Sequence, residues 1–437
     1  MERSLRAVLV ASGSAGLAWA SGRGAGLAWA SGRSAGLAWA SGRGGTGVGP
    51  GRLLELLATA LDGTGPAIMP VAAGLPPARL DALLATFDPD EIEDAGGVTT
   101  VRSFKRALKG DAAVILGTSG STGGPKGVRL SARALLHSAR ASLARLGARP
   151  GERWLCCLPV THVAGIAVLV RSLVSGADPV LADRVDPHTL AASGCAHVSL
   201  VPTQLRRLYN DMSTLNAFKS VLLGGAPAPE GLVERARAAG VPVVTTYGMT
   251  ETCGGCVYDG LPLDGVRVSV RDDTRIWIAG PVLFDGYWGE PAPAGEWFRT
   301  GDLGALDQTG RLIVRGRADD VINTGGHKVV PGEVAAVLQA SPQVKDAAVI
   351  GHKDPEWGER VVAVVVPADP DDPPTLDMLR MRVSERLPRY AAPSRVVLVD
   401  AVPVLPSGKH DLARLRRELP RLLQGSSLPK DHGAGTN

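Results

Sequence analysis

The chain has 437 residues, of which 45% are apolar and 21% are charged. It is therefore long enough for two or more domains and too rich in apolar residues for a disordered protein. A net charge of +4 is too small to indicate nucleic acid or an anionic membrane as a partner, so partners must be inferred from local sites. No run of 18 apolar residues predicts a membrane span, and an odd count of five cysteines is typical of reduced thiols in a cytoplasmic protein.

The N-terminal segment, residues 1–52, contains a low-complexity repeat. The sequence AGLAWASGR, followed by Gly or Ser, occurs three times in tandem over residues 15–44. A ten-residue period is too short for a solenoid repeat, and each unit has only one Trp, one Leu and three Ala to bury. We expect the repeat to add no ordered structure and to carry no chemistry.

After the repeat, the pattern predicts an α/β protein with a large domain over residues 53–318. A helix is expected at 53–61, and from residue 112 short apolar strands alternate with amphipathic helices, which is typical of βα units around a buried sheet. The predicted strands are 112–116, 154–158, 197–201, 220–223 and 241–246, and the predicted helices are 132–146 and 229–239. A β-rich subdomain is expected from Arg275 onwards.

The end of the chain predicts a second, smaller domain of α+β type over residues 319–423. Its predicted helices are 332–339 and 375–387, and its predicted strands are 344–351, 360–366 and 395–399. Residues 424–437 are rich in Gly, Ser and Lys and are expected to form a loose tail.

Residues 118–127, TSGSTGGPKG, combine glycines, hydroxyl side chains and a lysine directly after the predicted strand 112–116. The glycines let backbone amides approach a phosphate closely, the hydroxyls add donors and the lysine adds a cation. The segment therefore predicts a polyphosphate-binding loop followed by a helix starting near Ser131. The predicted ligands are Thr118, Ser119, Gly120, Ser121, Thr122, Gly123 and Lys126. A Walker A loop is excluded, because Pro125 and Gly127 stand where that motif has Gly and a hydroxyl residue.

The loop resembles the phosphate loop of the AMP-forming adenylate enzymes, the superfamily of acyl-CoA synthetases and peptide-synthetase adenylation domains. Five further motifs of that superfamily follow in order: LGGAPAP (223–229), YGMTE (247–251), RTGD (299–302), GRADDVINTGGHKVVPGE (316–333) and LPSGKHD (405–411). The resemblance covers residues 111–419. It implies ATP and Mg²⁺ as cofactors, CoA as co-substrate, and a large ATP-binding domain with a small mobile C-terminal lid.

The resemblance also implies roles for individual residues around the nucleotide. Tyr247 would stack on the adenine, Thr250 would contact the α-phosphate, and Glu251 would bind Mg²⁺, for which a carboxylate oxygen is a suitable hard ligand. Asp302 offers two acceptors for the ribose hydroxyls and would share that role with Arg317. The remaining expected nucleotide contacts are small or backbone groups at Gly224, Gly225, Ala226, Gly248 and Met249.

Three features of the small domain carry implied roles as well. Asp319 matches the hinge between the two domains, and Gly325 with Gly326 matches the loop that lines the tunnel for the pantetheine arm of CoA. Lys409 matches the lysine that bridges the acyl carboxylate and the α-phosphate during adenylation. A lid that delivers this cation would combine electrostatic stabilisation with gating.

Residues 158–173 (LPVTHVAGIAVLVRSL), with 201–209 and 253–260, resemble the o-succinylbenzoate-CoA ligases of menaquinone biosynthesis. This implies an aromatic dicarboxylic acid, and Arg171 or His162 could bind its second carboxylate, with Gly248 also contacting the substrate. The alternative for Arg171 is a salt bridge on a helix surface, and His162 is expected over the mouth of the site. Cys253 and Cys256 form a single CxxC, which is expected to line the acyl pocket and not to bind metal.

The implied reaction converts o-succinylbenzoate, ATP and CoA to the CoA thioester, AMP and pyrophosphate through an acyl adenylate. Alternatives within the superfamily are another aryl- or acyl-CoA ligase and a stand-alone adenylation enzyme. A non-catalytic nucleotide-binding regulator would not need Lys409, Glu251 and the Gly325–Gly326 loop together. The oligomeric state stays open, with a homodimer among the alternatives.

Overall fold

The computed structural model describes residues 3–10, 47–101, 111–119, 125–228, 230–271, 273–405 and 409–425. The repeat at 15–44 and the tail beyond 425 lie outside the described residues. The chain divides into two compact units. Unit 1 comprises Met1–Ala228, Leu232–Thr300 and Leu306–Ile313, and unit 2 comprises Pro229–Gly231, Gly301–Ala305 and Val314–Asn437. Among the described helices, none is both long and apolar enough to cross a membrane.

The first sheet of unit 1 has six strands in the order β4-β3-β1-β2-β5-β6. These strands are Leu5–Val10 (β1), Ala67–Ala72 (β2), Glu91–Asp94 (β3), Gly97–Thr100 (β4), Ala112–Ser119 (β5) and Pro125–Ser131 (β6). The four central strands are parallel, whereas β4 and β6 pair antiparallel at the two edges. Helices Pro50–Asp62 (α1), Pro77–Phe87 (α2) and Ala132–Leu146 (α3) accompany this sheet, and Leu57 of α1 and Leu135 of α3 share its buried core with Val114.

The segment before the repeat is part of this sheet. Strand β1 lies between β2 and β3, and five of its six residues are buried. Val10 bridges to Val48, whose amide donates to the carbonyl of Leu9 at 2.7 Å. The chain therefore leaves the end of β1 and returns beside it, so residues 11–46 connect two adjacent points.

The second sheet of unit 1 has the order β13-β12-β11-β10-β9-β7-β8. Its strands are Trp154–Cys156 (β7), Val180–Leu181 (β8), His197–Leu200 (β9), Ser220–Leu223 (β10), Val243–Met249 (β11), Gly254–Tyr258 (β12) and Leu261–Pro262 (β13). Strands β7 to β11 are parallel, as the alternation of strands and helices predicts, and β12 and β13 are antiparallel additions. The helices in this part of the chain are Val163–Ser175 (α4), Pro187–Ala192 (α5), Pro202–Arg207 (α6) and Glu230–Ala238 (α7).

The β-rich region forms a four-stranded sheet of Arg267–Val270 (β14), Arg275–Ala279 (β15), Trp297–Leu306 (β16) and Leu312–Arg317 (β17), in that order. Unit 2 has a five-stranded sheet of Ile322–Thr324 (β18), His327–Val329 (β19), Val344–Asp354 (β20), Gly358–Pro367 (β21) and Arg395–Leu398 (β22). Helices Pro331–Gln339 (α8) and Leu376–Ser384 (α9) share one of its cores, and Leu412–Gly425 (α10) shares the other.

The predicted α/β class is confirmed, and the predicted helix over residues 132–146 is α3, with Ser131 as its N-cap. The strand β6, between the phosphate loop and α3, was not predicted. Strand β6 satisfies its backbone groups by antiparallel pairing with β5 and places Val128 and Leu130 in the core. The limit of the large domain at residue 318, which rests on the predicted hinge at Asp319, stays a prediction. Unit 2 already includes the residues from Val314 onwards and the segment Gly301–Ala305.

Candidate active site

The predicted phosphate loop connects the two strands of a hairpin. Gly120, Ser121, Thr122 and Gly123 lie outside the described residues, but both ends of the loop are described. Thr118 pairs with Lys126 across the hairpin and donates its hydroxyl to the carbonyl of Lys126 at 3.2 Å, and Ser119 pairs with Pro125. The hairpin therefore fixes the base of the loop at one edge of the first sheet.

Strand β10 is followed by the small residues Gly224, Gly225 and Ala226, which were predicted to contact the nucleotide. A β-carbon on Gly224 would lie 2.1 Å from the Thr246 hydroxyl, and Gly225 has a φ of +84°, which favours glycine. Both glycines are thus required by their surroundings in this protein. Their small size keeps the end of β10 close to the neighbouring strand β11.

Strand β11 carries Tyr247, Gly248 and Met249, all of them half-buried, at its carboxyl end. A β-carbon on Gly248 would lie 1.9 Å from the carbonyl oxygen of Gly254 on β12, so glycine is required there. Thr250 and Glu251 follow in a single 3-10 turn, Thr250–Thr252, in which the Thr252 hydroxyl accepts from the amide of Met249 at 2.9 Å. The turn sets Glu251 directly beyond the end of the parallel strand.

Glu251 and Lys126 both contact the side chain of Tyr287, a residue outside the sequence motifs. The Tyr287 hydroxyl donates to Glu251 Oε1 at 2.9 Å, and Lys126 Nζ lies 5.2 Å from the centroid of the Tyr287 ring. All three side chains are half-buried. We call Lys126, Tyr287 and Glu251 the Tyr287 cluster.

The donor chemistry of the Tyr287 cluster fits Mg²⁺ bound together with a nucleotide. Among the residues that the structure describes, no group of three or more His, Cys, Asp or Glu side chains could hold a metal ion. Mg²⁺ does not need such a group, because it is usually bound by one or two carboxylates, water and substrate phosphates. A carboxylate has about four lone-pair positions, so the one phenol donor leaves Glu251 with acceptor capacity for a cation.

The two residues proposed for the second substrate carboxylate lie at different depths. His162 is exposed at the N-terminal end of α4, where its carbonyl accepts from the amide of Ile166. Arg171 lies two turns further along α4 and is only 6% exposed. The surface salt bridge considered for Arg171 is therefore wrong, because its side chain faces the interior of unit 1.

Arg171 belongs to a second group of polar side chains, which we call the Trp154 cluster: Arg171, Trp154, His197 and Glu152. The Arg171 guanidinium lies 4.4 Å from the centroid of a Trp154 ring and donates to the Ser199 hydroxyl at 3.1 Å. Its Nε is buried and has no hydrogen-bond partner. Burial lowers the pKa of Arg171, since desolvation disfavours the charged form.

In the rest of the Trp154 cluster, the polar groups of His197 and Glu152 form hydrogen bonds with each other and with neighbouring residues. His197 stacks on Trp154 at 4.6 Å and bonds through its two ring nitrogens to the Ser220 hydroxyl at 2.8 Å and to Glu152 Oε2 at 3.0 Å. Burial lowers the pKa of His197, so the neutral ring is favoured. The Lys219 ammonium, with the amide of Arg149, lowers the pKa of Glu152 to about 2. Glu152 is thus a permanent anion at neutral pH.

Cys253 and Cys256 are buried free thiols on either side of the start of β12. Burial raises the pKa of both, that of Cys256 to about 12, which disfavours the thiolate needed for metal binding or redox chemistry. Cys253 belongs to the same core as Leu169 of α4, and Cys256 to the same core as Trp154. Both behave as packed apolar groups behind the 3-10 turn.

Unit 2 brings together three of the remaining predicted residues. Asp302, which is 8% exposed, forms an ion pair with Arg317 at 3.3 Å, and Arg317 also reaches Asp319 at 3.6 Å. The predicted ribose ligands are therefore adjacent to the predicted hinge residue. A β-carbon on Gly301 would lie 2.6 Å from the Arg317 guanidinium, so glycine is what allows this approach.

The predicted CoA loop and Lys409, the predicted catalytic lysine, also lie in unit 2. Gly325 and Gly326 form the turn between β18 and β19 with φ values of +55° and +80°, and a β-carbon on Gly325 would lie 2.6 Å from the ring of Trp357. Lys409 is exposed, and its carbonyl accepts from the amide of Leu405 at 2.7 Å.

With this geometry established, comparison with known proteins assigns the class. The AMP-binding enzyme family matches residues 55–288, and the AMP-binding enzyme C-terminal domain matches residues 333–409. The chain belongs to the AMP-binding enzyme family.

Several named relatives and solved structures are similar to this chain over most of its length. A Mycobacterium tuberculosis protein named "Probable 2-succinylbenzoate--CoA ligase" is 42% identical over 384 residues, which are 84% of this chain and 94% of the relative. The 2-succinylbenzoate--CoA ligase of Geobacillus kaustophilus is 33% identical over 405 residues, covering 84% of this chain and 77% of the relative. Among solved structures, an E. coli MenE variant with bound OSB-AMS is 26% identical with a TM-score of 0.72, covering 96% of this chain and 88% of that one. The o-succinylbenzoate CoA synthetase (MenE) of Bacillus subtilis in complex with AMP is 27% identical with a TM-score of 0.68, covering 82% and 83%.

Tyr287 and the partners of Arg171 were not predicted from the sequence. Tyr287 lies in FDGYW (284–288), a segment outside the six motifs. Trp154 and His197 stand on separate strands, and their contact with each other depends on the pairing of β7 with β9. The local signal available for Tyr287 was a pair of aromatic residues, Tyr287 and Trp288, between Gly286 and Gly289.

Proposed function

We propose that the chain is an ATP-dependent, AMP-forming ligase that converts 2-succinylbenzoate to its CoA thioester. The observation that carries the proposal is the 42% identity that extends over 94% of a relative bearing that name. The carboxylate of the acid would attack the α-phosphorus of ATP and expel pyrophosphate. The CoA sulfur would then attack the acyl carbon and expel AMP.

The residues of unit 1 would bind and orient the nucleotide in this reaction. The hairpin of β5 and β6 positions the phosphate loop and Lys126, and the 3-10 turn after β11 positions Thr250 and Glu251. Mg²⁺, when bound with ATP, supplies positive charge that offsets the charge of the triphosphate. Glu251 is the residue we assign to hold it.

Arg171 is the residue we assign to the second carboxylate of the acid. Its guanidinium is buried, stays cationic and has no carboxylate partner among its described contacts. A buried cation with an unused donor favours an anionic ligand, because a charge-assisted hydrogen bond would offset its desolvation. This supports a dicarboxylic acid over a simple aryl acid. A cytoplasmic location and a homodimer stay predictions.

The substrate assignment is tested by pyrophosphate release with a panel of acids in the presence of ATP and Mg²⁺. The panel contains 2-succinylbenzoate, benzoate, a medium-chain fatty acid and a mixture of amino acids. We expect release with 2-succinylbenzoate at least about tenfold faster than with benzoate, since benzoate lacks the second carboxylate. Faster release with a monocarboxylic acid or an amino acid would replace this proposal with the alternative of another acyl-CoA ligase or a stand-alone adenylation enzyme.

The role of Lys409 is tested by separating the two half-reactions. We expect Lys409→Ala to slow adenylation by about 10²-fold or more, because it removes the cation at the developing charge, and to leave thioester formation from preformed acyl adenylate nearly unchanged. Lys345→Ala, at an exposed lysine of β20, is the matched control and should leave both rates unchanged. An equal loss of both half-reactions in Lys409→Ala would contradict the assignment.

A further inference from the structure

The segment FDGYW, residues 284–288, is tied to two parts of the candidate active site. Its amides at Phe284 and Trp288 donate to the carbonyls of Glu251 and Gly127 at 2.9 and 2.7 Å. Tyr287 itself bridges to Val128 of β6. The segment therefore links the strand that leaves the phosphate loop to the turn that carries the metal-binding candidate.

Within this segment, Tyr287 contacts both charged groups of the Tyr287 cluster through different parts of its side chain. The hydroxyl donates to the Glu251 carboxylate, and the ring face is toward the Lys126 ammonium. Phe284 holds the ring in an edge-to-face contact at 5.0 Å. The ring is thus fixed independently of the two charges it contacts.

The electrostatic consequence concerns the pairing of Lys126 with Glu251. A lysine and a glutamate that contact the same side chain would, without that side chain, be able to form an ion pair and neutralise each other, which would reduce their value to phosphate and to a metal ion. No ion pair joins these two described residues, and the Tyr287 ring lies beside the ammonium while its hydroxyl holds the carboxylate. The aromatic residue keeps the two charges separate and oriented.

We propose that Tyr287 is a positioning residue for the adenylation step: it orients Glu251 for Mg²⁺·ATP and keeps Lys126 available to the phosphates. This inference rests on the proposed function, since it assumes ATP and Mg²⁺ as ligands. Tyr287 acts through Glu251 and Lys126, so its effect must appear in nucleotide and metal binding before it appears in the reaction with the acid.

The test compares Tyr287→Phe with wild type by calorimetric titration of ATP, with and without Mg²⁺. The variant keeps the ring, so Lys126 retains its contact and the Mg²⁺-free affinity should stay within about twofold of wild type. Loss of the hydrogen bond to the carboxylate should reduce the gain in ATP affinity on adding Mg²⁺ by about tenfold. Tyr258→Phe, which removes a buried phenol bonded to the Ser142 hydroxyl at 2.7 Å, is the matched control and should keep the full gain.

A double-mutant cycle with Glu251→Gln separates positioning from a general structural effect. If Tyr287 acts through the Glu251 carboxylate, Tyr287→Phe should add no further loss in the Glu251→Gln background. Tyr287→Leu, which removes the ring as well, should weaken ATP binding without Mg²⁺ too, because Lys126 is then released to pair with Glu251.

The outcomes distinguish this inference from the proposed function. A Tyr287→Phe protein that keeps the full Mg²⁺ gain, or an additive double mutant, would overturn the role of Tyr287 alone. A wild-type protein whose ATP binding does not respond to Mg²⁺ and that releases no pyrophosphate with any acid would overturn the proposed function itself.

Discussion

Unit 1 contains two clusters built from the same kinds of groups: a glutamate, an aromatic ring and a cation beside that ring. In the Tyr287 cluster, all three side chains are half-buried and the glutamate accepts one hydrogen bond from a neutral phenol. In the Trp154 cluster, the ring and the cation are almost fully buried, and the glutamate bonds to Lys219 and His197. The difference is in acceptor capacity, because a carboxylate that already accepts from an ammonium, an imidazole and a backbone amide has little capacity left for a ligand.

This comparison shows why residue type alone does not identify a site. The Lys219 ammonium lowers the pKa of Glu152 to about 2, yet the hydrogen bonds of this carboxylate join it to other residues of the fold. Glu251 accepts from one phenol, that of Tyr287, whose ring contacts Lys126 at the end of the predicted phosphate loop. We therefore expect substitutions in the Tyr287 cluster to change activity and most substitutions in the Trp154 cluster to change stability.

The largest effect is expected for Glu251→Gln. This isosteric change keeps an acceptor for Tyr287 but removes the charge that binds Mg²⁺, so adenylation should fall by about 10²- to 10³-fold while the melting temperature stays within about 2 °C of wild type. Pyrophosphate release and thermal unfolding measure the two quantities. A variant with normal adenylation would show that the two clusters do not differ as proposed.

Much of the Tyr287 cluster was accessible from the sequence, because the phosphate loop and YGMTE are local motifs whose residues are close in the chain. Lys126 and Glu251 were both predicted. Tyr287 was not, because its contact with Glu251 spans 36 residues and depends on where the irregular segment after β15 packs. The strand β6 was missed for a related reason, since its seven residues are defined by pairing with β5 and not by their own periodicity.

Little of the Trp154 cluster could be predicted from the sequence. Arg171 was noted as a candidate ligand or a surface residue, and only its 6% exposure decides against the surface. His197 was read as part of an apolar strand, and its partners Glu152 and Ser220 come from other segments. The α/β class and the parallel strands β7, β9, β10 and β11 follow from apolar patterning, whereas the burial of a charge follows from tertiary packing.

The second-largest effect tests the one member of the Trp154 cluster that we assign to substrate. Arg171→Lys keeps the charge but loses the planar donor pair, so we expect the KM for 2-succinylbenzoate to rise about tenfold. The KM for ATP should be unchanged, and residual activity with benzoate should change less. A variant in which only the melting temperature falls would show that Arg171 has a structural role, like the other members of the Trp154 cluster.

A smaller effect, on stability, is expected for Glu152→Gln. The change weakens the hydrogen bonds to Lys219 and His197 and should lower the free energy of unfolding by about 1–2 kcal/mol at pH 7, with adenylation unchanged. Because the folded-state pKa of Glu152 is depressed to about 2 from 4.5, its contribution is present above pH 4.5 and is lost as the pH falls towards 2. Denaturant unfolding at pH 7 and at pH 3 should thus show a smaller difference between the variant and wild type at pH 3. Glu234→Gln, at an exposed residue of α7, is the control.

The smallest effect is expected for deletion of residues 15–44. The deletion leaves residues 11–14 and 45–47 to join Val10 to Val48, which are already paired. We expect adenylation within about twofold of wild type and a free energy of unfolding equal to it or higher by about 1 kcal/mol, since a shorter loop costs less entropy to close. A large loss of activity would show that the repeat contributes to one of the two clusters.

The central claim is that this chain makes a CoA thioester from 2-succinylbenzoate. The most direct measurement is mass spectrometry of the products formed from 2-succinylbenzoate, ATP, Mg²⁺ and CoA, together with quantification of AMP. The account predicts one succinylbenzoyl-CoA for each AMP, and no AMP when the acid is omitted. AMP without thioester, or a thioester formed only when another acid replaces 2-succinylbenzoate, would contradict it.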